Sequence, residues 1–63
     1  MLIYYVLIVF YLSPDWKQDE VVSIPVGGDL AKCTQVLQHR VSQRATLGGI
    51  KGHTSECALL PAP

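Results

Sequence analysis

Sixty-three residues, 49% of them hydrophobic and with no net charge, make one small folded unit and exclude a disordered chain, whose composition is polar and charged. Five basic residues balance five acidic ones, so nothing draws the chain to nucleic acid or an anionic membrane, and no nucleic-acid partner is expected. A chain this short buries only about 60% of its unfolded surface, so a cross-link, a metal or a partner subunit is expected to help hold it.

Residues 1–12, Met-Leu-Ile-Tyr-Tyr-Val-Leu-Ile-Val-Phe-Tyr-Leu, carry no charged side chain. As a helix they span about 18 Å, short of the ~30 Å hydrocarbon core of a bilayer. A secretory signal places cations before its apolar run, whereas the first cation here, Lys17, follows it. β-Branched and aromatic residues dominate, which favours a strand over 2–12. Leu2, Tyr4, Val6, Ile8, Phe10 and Leu12 share one face and Ile3, Tyr5, Leu7, Val9 and Tyr11 the other. Both faces are apolar, the pattern of a central strand, and this leaves open which face a helix covers.

Residues 13–20 are polar and contain Pro14, and are expected to form a loop. Trp16 within them is either a lid folded back on the core or an exposed anchor for a partner. Residues 21–26 predict a second strand, with Val22, Ile24 and Val26 inward. Pro25 cannot donate to a ladder, which puts this strand at an edge. Asp29 is placed to cap a helix over 30–45, whose apolar stripe is Leu30, Cys33, Val36, Leu37 and Val41. Gly48-Gly49 ends it. A glycine-rich connector, 47–52, then leads to a third strand over 53–60.

Cys33 on the helix stripe and Cys57 in the last strand meet if the helix packs on the Cys57 face. They form either a disulfide, stabilising by about 3–4 kcal/mol, or two buried thiols in a reducing compartment. Zinc is not expected, because C-x-x-C and H-x-x-x-H spacings are absent. His53 and Cys57 lie roughly 13 Å apart along one strand, too far for a nucleophile pair. The connector lacks the G-x-x-x-x-G-K-[ST] spacing of a phosphate loop. Neither an enzyme nor a cofactor is expected.

Charge is unevenly placed. Lys17 against Asp15, Asp19 and Glu20 leaves residues 1–20 at −2, and Lys32, Arg40, Arg44 and Lys51 against Asp29 and Glu56 leave the rest at +2. This describes either two solvated faces or a guide for docking.

Tyr5-Val6-Leu7-Ile8-Val9, Leu30-Ala31-Lys32-Cys33 and Glu56-Cys57-Ala58-Leu59-Leu60-Pro61 together resemble a class of very short proteins encoded in phage and prophage genomes. That resemblance implies a ββαβ fold and an accessory or host-modulating role, and transfers no site residues; the expected location is the cytoplasm of a host cell, with membrane or secreted as the alternative.

The expected fold is α+β: a small ββαβ domain with a three-stranded, largely antiparallel sheet and one helix on one face. One helix leaves one apolar face of the central strand uncovered. Ile3, Tyr5, Leu7, Val9 and Tyr11, or the residues of the opposite face, are therefore the candidate interface for a homodimer or a protein partner, with Trp16 at the rim. The expected function is a small protein-binding accessory protein, a modulator or inhibitor of a host protein. The alternative is a membrane-associated or secreted microprotein inserted through residues 1–12. A third reading, a recently arisen reading frame without selected function, predicts no cooperative unfolding.

Overall fold

The computed structural model describes all 63 residues. Four elements follow in the order β1 (Leu2–Leu12), β2 (Lys17–Gly27), α1 (Leu30–Ala45) and β3 (Ile50–Pro61). They form the expected α+β arrangement: an open antiparallel sheet of order β2-β1-β3 with one helix on one face. The apolar strand is central: β3 pairs with it from Leu2 to Leu12 and β2 from Tyr4 to Leu12.

The even face of β1 carries the core. Val6, Ile8 and Phe10 are buried there together with Val22 of β2 and Cys33 of α1. Val36, Leu37 and Val41 of the helix and Ile24, Val26, Ile50 and Cys57 of the sheet pack around them. The helix stripe is as predicted except at its first member: Leu30 is 51% exposed, whereas Cys33, three residues on, is fully buried.

Local signals fix the helix ends. The Asp29 carboxylate accepts a hydrogen bond from the Ala31 N–H at 2.9 Å, satisfying a donor with no partner inside the helix. At the other end, the N–H groups of Leu47 and Gly48 donate to the carbonyls of Arg44 and Ala45. Gly48 and Gly49 both take positive φ, 78° and 79°, a conformation open to glycine at little cost.

Two boundaries differ from expectation. Residues 17–20, expected in a loop, belong to β2, and residues 50–52, expected in the connector, belong to β3. Both corrections have one cause. An eleven-residue central strand offers hydrogen-bonding edges along its full length, and satisfying them extends the neighbours through polar or glycine-containing sequence. The extension is uneven: Asp19 is skipped where Phe10 pairs with Glu20 and Tyr11 with Gln18, and Lys51 where Tyr11 pairs with Gly52 and Leu12 with Ile50. Such bulges accommodate an extra residue without breaking the ladder.

Candidate functional site

The odd face of β1 has no layer over it. Its side chains sit in rows set by strand register. Tyr5 lies between Pro25 and Ala58, Leu7 between Ser23 and Glu56, and Val9 between Val21 and Thr54. Ile3 stands beside Leu60 and is buried, while Tyr5, Leu7, Val9 and Tyr11 are half-buried. This partial burial comes from lateral neighbours on the same face, since the helix packs against the opposite one. A shallow depression of about 300 Å³ opens over Leu7 and Val9, bounded by Thr54, Ser55 and Glu56. All five β1 residues named from sequence thus lie together on one apolar face.

Trp16 closes one end of that face. The hairpin turn Ser13–Trp16 contains a cis Ser13–Pro14 bond, and Trp16 has φ 61°. Its N–H donates to the Leu12 carbonyl at 3.0 Å. The left-handed backbone costs a non-glycine residue about 1 kcal/mol or more, and ring contacts offset it. The indole lies edge-on to Tyr11 at 6.2 Å between centroids, and the Lys51 ammonium stands 5.2 Å from its centroid. Lys51 Nζ also donates to the Pro14 carbonyl at 2.8 Å. The ring lies over the end of the open face and is not a lid on the core, and it stays 55% exposed.

Gly52 makes room for the ring. A Cβ there would stand 2.7 Å from Cζ3 of Trp16, inside any normal contact. Gly52→Ala is therefore expected to lift the indole into solvent and red-shift its fluorescence. Stability should change by less than about 1 kcal/mol, because the lost seating is offset by a stiffer unfolded chain. An unshifted emission maximum would show that the ring does not rest on Gly52.

Cys33 and Cys57, named from sequence as either a disulfide or two thiols, stand as a bonded pair with Cα atoms 6.2 Å apart. Cys33 is fully buried. The pair ties the helix to an edge strand on the covered side, remote from the open face.

Sequence reasoning missed one feature, a groove of about 370 Å³ between the end of α1 and β2. Phe10, Val22 and Leu47 line it with Glu20, Arg40 and Arg44. Arg44 spans 3.2 Å to Asp19 and donates to the Gly48 carbonyl at 3.1 Å. The acidic and basic segments of the chain thus partly neutralise each other within one molecule. An ion pair this exposed contributes at most about 1 kcal/mol. Residues 19 and 44 lie far apart in sequence, and only the packing of α1 on the sheet shows that they meet.

No helix of the chain is long and apolar enough to cross a membrane. Comparison with known proteins found no matching family model, no matching curated protein and no matching solved structure.

Proposed function

We propose that this chain is a small, non-enzymatic protein-binding module whose open sheet face is its interaction surface. One observation carries the reading: an eleven-residue central strand is apolar on both faces, and the single helix covers only one. A contiguous apolar face on a soluble domain marks a site of association. Trp16 at its end supplies the aromatic anchor typical of binding hot spots. Modulation or inhibition of a host protein, the role implied by the likeness to short phage and prophage proteins, would use this same face. The Cys33–Cys57 bond fits an oxidising compartment better than a reducing cytoplasm. Insertion of residues 1–12 into a bilayer would require withdrawing β1 from both neighbours, leaving unpaired backbone on two strands.

The test tethers single chains at low density through the C-terminus and offers them an extract of the source cells. A bound protein retained by the native chain and by Gln35→Ala on the helix exterior, but lost with Val9→Asp, is the expected result. Equal retention by Val9→Asp and the native chain would exclude the face as the binding surface.

A further inference from the structure

Resting on that reading, we propose that the open face is occupied by a second copy of this chain, packed sheet against sheet about a two-fold axis along β1. Leu7 is the middle residue of β1, so the two Leu7 side chains meet at the centre of this arrangement.

Strand register supports a self-complementary face. Between Ile3 and Val9 the face carries one formal charge, Glu56, and the residue across the same row, on the other side of Leu7, is Ser23. Rotation about an axis along β1 exchanges the β2 and β3 sides, so Glu56 of each copy faces Ser23 of the other. The hydroxyl donates to the carboxylate, and the contact occurs twice. A two-fold axis running across the strands would instead place Glu56 on Glu56, burying two like charges together. The axis along β1 is therefore favoured, and it stacks Leu7, Tyr5 and Val9 on their own copies.

Area and net charge agree. Eleven residues of strand at about 3.4 Å each, across three strands about 4.8 Å apart, give a face of roughly 500 Å² per copy in plan. Two such faces come to about 1,000 Å², the lower bound for a biological interface. Sheets packed this way align within about 30° at ~10 Å spacing, so the two layers cross at Leu7 and stay in register near it. The chain has no net charge, and no global repulsion opposes the pairing.

Ser23 is exposed on an edge strand, so it is substituted without touching the core. In sedimentation equilibrium without detergent, the native chain is expected at twice its 6.9 kDa mass. Ser23→Glu should weaken the dimer by at least about tenfold by opposing Glu56, whereas Ser23→Lys should keep or tighten it. Leu7→Asp should sediment at chain mass. A folded native chain that stays at chain mass overturns the second-copy proposal and leaves the protein-binding reading to its own test. A native dimer that Leu7→Asp dissociates, but that responds alike to Ser23→Glu and Ser23→Lys, overturns the proposed axis. A dimer untouched by all three variants overturns both the proposal and the face as an interface.

Discussion

Removing the Cys33–Cys57 bond, by reductant or by replacing both residues with alanine, is expected to lower the unfolding free energy by about 3–4 kcal/mol. The bond closes a loop across a sequence separation of 24, and the chain-entropy relation for a loop of that length gives about 3.5 kcal/mol. A 63-residue chain has a total stability of roughly 3–9 kcal/mol on the usual per-residue scale, so this one constraint is a large part of it. The loss has a structural route as well. Cys33 is buried in the middle of the core cluster, and the bond joins the helix to β3. Without it, α1 is held on the sheet by half-buried side chains, chiefly Val36, Leu37 and Val41. Urea unfolding followed by circular dichroism, with and without reductant, measures the difference. A change below about 1 kcal/mol would mean that the apolar contacts alone hold the helix in place.

Ile8→Ala is the second large effect, an expected loss of about 2–5 kcal/mol. Ile8 is 1% exposed, between Val6 and Phe10 on the covered face, and pairs with Val22 across the sheet. Only six residues are buried in the whole chain, so the neighbours have little material with which to refill the space. The transition should move to lower urea without a change in slope. A smaller cost, below about 1 kcal/mol, would place Ile8 outside the core and the helix on the wrong face.

Much of the fold was legible in sequence. The β1 and α1 boundaries follow from an uninterrupted β-branched and aromatic run and from an Asp29 cap, an apolar stripe and a Gly48-Gly49 stop. The starts of β2 and β3 were not legible. Lys17-Gln18-Asp19-Glu20 and Ile50-Lys51-Gly52 carry turn-like composition, and they are strands because β1 presents them an edge to pair with. An exposed edge strand needs no apolar face of its own, so composition leaves no trace of it. Within the candidate surface, alternation alone grouped the five odd-numbered β1 residues on one face, without telling whether that face or its opposite stays open. Their partners Ser23, Pro25, Ala58 and Glu56 were not legible, because register between distant segments is set by pairing rather than by local pattern.

Sequence by itself determined that this chain builds a two-sided apolar strand, a capped helix and a cysteine on each of two elements able to meet. These are local properties: side-chain alternation at period two, an apolar stripe near period 3.6 and the chemistry of a single cap. Only the tertiary structure decided which face of β1 the helix covers. The two faces are nearly equal in apolar content, and the covered one is the even face, where Cys57 pairs with Val6 and is bonded to Cys33 of the helix. That choice buried Val6, Ile8 and Phe10 and left Leu7 and Val9 in the open, where Trp16 over Gly52 closes one end.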